Sequence, residues 1–137
     1  MTELRITIPG RPVTWQRPTD DSRSGRRNVT SADQRAEKRR IARYAAAALP
    51  PGWRTDREYA VEVIGYWPDR RFGDADRLVS LTMDALQGVA YRADRQVGAQ
   101  GSARRVDKTN PRVEVHVVAY DPDRESPEIG ITIGGGK

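Results

Sequence analysis

The chain contains no cysteine. That excludes disulfides, thiolate zinc sites and cysteine nucleophiles together. Any metal ion must then rely on oxygen ligands, which favours magnesium or manganese over zinc. No apolar run approaches the length of a membrane span, and the opening residues Met1 to Arg5 lack the apolar core of a signal peptide. A soluble, intracellular protein is expected, with no membrane partner. Lysine is also scarce: of 24 cationic side chains only Lys38, Lys108 and Lys137 are lysines.

Arginine supplies the rest, in a chain of 137 residues with net charge +5 and a pI near 10.0. Its planar fork matches phosphate oxygens and suits a nucleic-acid partner, although a GC-rich coding genome favours arginine just as well. The length fits one domain with a single core, and a mean hydropathy of −0.77 implies a very polar surface.

Leu4, Ile6 and Ile8 alternate with polar residues as a half-buried strand ending at Pro9-Gly10. Residues 11–30 lack periodicity and read as a mobile basic arm carrying Arg11, Arg17, Arg23, Arg26 and Arg27. Ser31 and Gln34 form a capping-box pattern. It opens a helix that buries Ile41, Tyr44, Ala45 and Ala48, exposes Arg35, Lys38, Arg39 and Arg43, and stops at Pro50-Pro51-Gly52. A second strand runs from Tyr59 to about Gly65, with Glu62 and Ile64 on its other face, and Trp67-Pro68 ends it. Leu78, Leu81, Thr82, Ala85, Leu86 and Val89 follow helical spacing, with Gly88 at the helix end. Gln96 to Val106 and Val113 to Val117 complete the strands, and Lys108-Thr109-Asn110-Pro111 suggests a hairpin turn between them. His116 falls opposite the valine face, as an exposed structural or solvated histidine. Trp15 reads as an anchor for the arm, and Trp53, Trp67 and Tyr91 as packing residues. The expected fold is α+β, a two-layer arrangement of about four mixed strands and two main helices in the order β-α-β-α-β-β. One domain spans 1–120, followed by a flexible tail over 121–137.

A chain this basic has little reason to concentrate carboxylates, yet Asp74-Ala75-Asp76 precedes the second helix and Asp94 follows it. Two or three carboxylates suffice for a hard cation that keeps several waters, and such a cation can activate water at a phosphate. Asp94 would return to the Asp74–Asp76 pair only if the third strand starts near the end of the second. Each acid also has a plain structural reading. Asp is a preferred N-cap, so one of the pair can simply cap the helix; Asp94 can be a turn charge between Arg92 and Arg95. Asp84, at the edge of the buried stripe, reads as an ion-pair residue.

The ordered segments Asp74-Ala75-Asp76-Arg77-Leu78, Asp84-Ala85-Leu86-Gln87-Gly88 and Asp94-Arg95-Gln96-Val97 resemble the RusA family of Holliday junction resolvases. Ile8-Pro9-Gly10-Arg11-Pro12-Val13 with Arg17-Pro18 is similar to the opening of phage-type members. The resemblance spans about residues 4–119. It implies a homodimeric, Mg²⁺-dependent endonuclease, with Mn²⁺ as a substitute, that nicks four-way DNA junctions in pairs during recombination and repair. The cytoplasm of a bacterial or phage-infected cell is the implied location. It also implies that Asp74, Asp76 and Asp94 are the metal-binding, catalytic aspartates and that Gln96 is the glutamine after the third acid. Two positions depart from the family pattern: Arg77 replaces an asparagine and Ser80 replaces a lysine expected beside the scissile phosphate. Arg77, Arg70 or Arg71 is a candidate to supply that charge, and with Arg17, Arg26 and Arg27 these are the expected DNA-contacting residues. A junction-binding protein with little or no cleavage, or a nuclease preferring forks or other branched DNA, are the rival readings.

Overall fold

The structure is a computed structural model, described for residues 3–14 and 27–123 and, for 27–31, in backbone only. The elements are β1 (Glu3–Pro9), α1 (Arg27–Ala48), β2 (Tyr59–Trp67), α2 (Ala75–Leu86), a short 3₁₀ turn (Asp94–Gln96), β3 (Val97–Val106) and β4 (Arg112–Ala119). The expected order β-α-β-α-β-β and the mixed four-stranded sheet with two helices are present.

Pairing within the sheet follows from how much each strand buries. Nearly every residue of β2 is buried, on both faces, whereas β3 carries small and polar residues that are half-buried or exposed. A strand buried on both faces needs neighbours on both sides, and a polar strand tolerates an edge. The sheet order is accordingly β1-β4-β2-β3, with β2 antiparallel to β4 and parallel to β3. This corrects the expected hairpin: β3 and β4 follow one another in sequence, but β2 lies between them. Residues 107–111 therefore connect non-neighbours, and Asp107 closes the turn by accepting from the backbone N–H groups of Thr109 and Asn110.

Leu4, Ile6 and Ile8 pair across β4 with Val117, Val115 and Val113, which in turn face Val61, Val63 and Gly65. Both helices cover this one face, contributing Ile41 and Ala45 from α1 and Leu78, Leu81, Ala85 and Leu86 from α2 to a single core. Gly65 leaves room for two neighbours: a Cβ there would stand 2.4 Å from the Trp67 ring and 2.8 Å from Leu78 Cδ2. The missing side chain lets α2 sit down on β2.

Helix α1 begins at Arg27, one turn before the expected Ser31 cap, so residues 27–30 belong to a helix and not to an arm. Its buried stripe is narrower than expected. Ile41 and Ala45 are buried, but Tyr44 and Ala48 are exposed. The Arg40 guanidinium instead lies over Tyr44, 5.6 Å from the ring centroid. Lys38 is not on the outer face; its ammonium pairs with Asp84 on α2, which gives Asp84 its expected structural partner. His116 is buried, not exposed, with Nε2 3.2 Å from Glu3 Oε1 and Glu62 opposite it on β2. Trp53 stacks on Tyr59 at 4.8 Å, and Trp67 and Tyr91 are fully buried, as expected of packing residues. Trp15, Arg17, Arg23, Arg26 and the tail from 124 lie outside the described residues.

Gly65→Ala is expected to destabilise the protein by about 1–3 kcal/mol, the usual cost of overpacking a filled site. Urea unfolding followed by circular dichroism checks this.

Candidate functional site

The loop after β2 delivers the first acidic group. Asp74 is the N-cap of α2, with extended backbone, and its Oδ1 accepts the Asp76 N–H at 2.9 Å. Of the two acids, Asp74 is therefore the cap. Its other oxygen stands 3.7 Å from Arg77 Nε. Asp76, one position into the helix, is exposed, and among the described residues no cation pairs with it. Gly73 brings the loop close to the segment after β1: a Cβ there would meet Thr14 Cγ2 at 2.2 Å. Asp74 and Asp76 share a cleft of about 490 Å³ with Phe72, Gly73, Ala75 and Arg104.

The second acidic group lies beyond the far end of α2. Asp94 lines a cleft of about 270 Å³ with Ser80, Met83, Asp84 and Gln100. Partial burial, and secondarily the Asp84 carboxylate, raise the Asp94 pKa above the ordinary aspartate range. The loop that presents Asp94 is fastened at several points. Trp53 Nε1 donates to the Ala90 carbonyl at 2.8 Å, and the buried Tyr91 hydroxyl donates to the Met83 carbonyl at 2.8 Å. Burial pushes the Tyr91 pKa up. Gln96 makes four bonds: its Oε1 accepts from the Arg92 and Ala93 N–H groups, and its Nε2 donates to the Thr55 and Arg57 carbonyls, all at 2.7–2.9 Å. The glutamine two residues after the third acid thus holds that acid's turn against the loop before β2.

The two acidic groups remain apart within one chain. Val97, the first residue of β3, pairs with Tyr59, the first residue of β2. β3 therefore starts where β2 starts, and α2 separates Asp94 from Asp74 and Asp76. Among the described residues no group of three or more His, Asp or Glu stands close enough to hold a metal ion. Within a single chain the three aspartates do not come together. The chemistry of the Asp74–Asp76 pair nevertheless suits a hard cation: two exposed carboxylates, one of them unpaired, with room for water.

What joins the two groups is a polar trench. On α2, Asp76, Ser80 and Asp84 recur every four residues, along one side of the helix. On β3, Gln100, Ser102 and Arg104 pair with Val61, Val63 and Gly65 and so share the helix-covered side of the sheet. Gln100 and Arg104 line the two clefts at opposite ends of this path.

Arg70 and Arg71 are exposed on the loop entering the site. Arg71 pairs with Asp69 at 3.1 Å, and its carbonyl accepts from Arg11 Nη2 at 2.9 Å. Arg77 is occupied by Asp74. Arg17 and Arg26 lie outside the described residues, as does the side chain of Arg27.

A family model described as endodeoxyribonuclease RusA matches residues 9–118. The chain belongs to the RusA family. Within this RusA-family domain the match runs from the end of β1 through β4 and takes in both acidic groups. A search of curated proteins returns no match. Among the described residues, no helix is long and apolar enough to cross a membrane.

Two placements are not evident from local sequence: Arg104 at the cleft and Lys38 against α2. The alternation Gln100, Ser102, Arg104 was the available signal for the first; the second needs the packing of α1 against α2. Gln96→Leu is expected to cost about 2–4 kcal/mol, since four bonds of about 1 kcal/mol each are lost and backbone groups are left unsatisfied. Chemical denaturation measures that loss, and amide hydrogen exchange should show faster opening at residues 92–96.

Proposed function

We propose that this RusA-family protein is a Mg²⁺-dependent endodeoxyribonuclease that resolves four-way DNA junctions by paired symmetric nicks. The observation that supports this best is the cleft at the start of α2. An unpaired carboxylate, Asp76, and a cap carboxylate, Asp74, share it with an arginine in a chain of net positive charge.

Asp74 and Asp76 would hold the cation, Mg²⁺ or Mn²⁺, which when bound supplies positive charge at the phosphate and a Lewis acid for the attacking water. The chain's own residues do the rest. The N-terminus of α2 favours negative charge at the same point. The Asp76 carboxylate, turned to solvent, is available to accept a proton from water, and Asp74 fixes the helix start on which Asp76 rides. Asp94 serves at the other end of the trench. Asp76 and Asp84 differ by eight helical residues, about 12 Å, so a DNA strand laid along α2 passes both acidic groups within roughly three or four nucleotides at 3.4 Å per nucleotide. Arg70 and Arg71, with Arg17, Arg26 and Arg27, would track phosphates, giving affinity and salt sensitivity without sequence choice. A two-fold homodimer would place two such sites on a junction, matching paired incision.

Incision of a mobile synthetic four-way junction in Mg²⁺, beside linear duplex, forked DNA and EDTA controls, tests the proposal. Paired cuts confined to the junction are expected. Asp76→Asn should abolish them while leaving junction binding in EDTA and the melting temperature intact, because Asp74, not Asp76, caps the helix and among the described residues no basic side chain pairs with Asp76. Tight binding by the parent protein without incision in either metal would favour the binding-only reading, to which the separation of Asp94 from the pair lends its weight. Equal cutting of forks would make the protein a broader branched-DNA nuclease.

A further inference from the structure

We propose that Arg104 contacts the phosphate at the Asp74–Asp76 cleft, supplying from β3 the cationic group that Ser80 does not provide on α2. The assignment rests on the nuclease reading above, but it has its own geometry.

Arg104 lies on the edge strand, paired with Gly65 of β2. Its guanidinium sits over the Phe72 ring, 4.8 Å from the centroid. Phe72 in turn meets Trp67 edge-on, with centroids 5.7 Å apart and planes at 84°. Trp67 is 1% exposed and fills the space that Gly65 leaves. A buried indole thus holds an aromatic ring, and that ring holds a guanidinium at the mouth of the cleft. A cation–π contact takes up none of the guanidinium N–H donors. Those donors form a rigid fork that fits two phosphate oxygens.

Two other arginines near the site are engaged with carboxylates, and Arg70 is exposed on the loop entering the site. Arg71 is tied to Asp69 and Arg77 to Asp74, whereas among the described residues no carboxylate pairs with Arg104. An arginine beside two acids that pairs with neither, and is held by an aromatic ring instead, is ordered before any ligand arrives. Little conformational freedom remains to be lost on binding. Arg104 lines the same cleft as Asp74 and Asp76, so a phosphate lying there would meet the guanidinium beside the two carboxylates that would hold the cation.

The test uses the full chain with Arg104→Gln, Arg104→Lys and Phe72→Leu, read by junction binding in EDTA over a range of salt and by single-turnover incision in Mg²⁺. Arg104→Gln should lower the salt dependence of binding by about one phosphate contact. It should slow incision on the order of 100-fold, the usual effect of removing one preorganised donor. Arg104→Lys should restore the salt dependence and only part of the rate, since the fork is lost. Phe72→Leu should keep the salt dependence and lower the rate. An Arg104→Gln protein with the parent's salt dependence and rate overturns the assignment. So does a fall in melting temperature shared by Arg104→Gln and Arg104→Lys, which would make Arg104 part of the fold. A parent that never cuts, yet loses one phosphate contact on Arg104→Gln, overturns the nuclease reading and leaves the contact standing.

Discussion

Two parallel strands cannot be joined by a tight turn, and in this chain β2 and β3 are parallel neighbours. The connection has to travel back along the sheet, and α2 is that return path. Everything at the candidate site follows from it. The loop leaving β2 must start a helix at one end of the sheet, and there Asp74 caps α2 and Asp76 follows. The loop leaving α2 must re-enter at the other end, and there Asp94 begins the turn into β3. The crossover thus distributes the acids along a line.

The same crossover explains why the site's supports are so different at its two ends. At the start of α2 the framework is aromatic and close-packed. Trp67 and Leu78 fill the space around Gly65, Phe72 packs edge-on against Trp67, and Thr14 fills the space above Gly73. At the far end the framework is polar. Gln96 saturates four backbone groups, and Tyr91 and Trp53 each spend their one polar hydrogen on a carbonyl of the return segment. A close-packed support fixes position through volume. A hydrogen-bonded one fixes it through direction, which suits a short turn with little apolar surface to bury.

Much of this was legible in the chain. The alternation of Leu4, Ile6 and Ile8, the valines of β4 and the stripe of α2 as far as Leu86 each appear where their periods place them, because one face of each element packs on the same core; Val89, expected in that stripe, lies beyond the helix end. The ordered acidic motifs and the family they resemble were legible too. Three things were not. Strand order depends on which strand is buried on both faces, and the alternation in β2 conceals that Ala60, Glu62 and Ile64 are as buried as Val61 and Val63. The start of α1 was hidden because Arg27 to Thr30 carry no apolar period. The separation of Asp94 from Asp74 and Asp76 depends on the register between β2 and β3, which is a long-range property that local spacing leaves open.

The composition of β3 has a consequence of another kind. Among the described residues β3 is the last strand of the sheet, and its ten residues offer a row of backbone donors and acceptors along the outer side. Such an edge invites a foreign strand to add on. Here it holds glycine at two positions, no aromatic residue and two adjacent arginines, Arg104 and Arg105, so a strand approaching to extend the sheet meets little apolar surface and a concentration of positive charge. The composition that would suit a polyanion along the trench thus also discourages a further strand from extending the sheet.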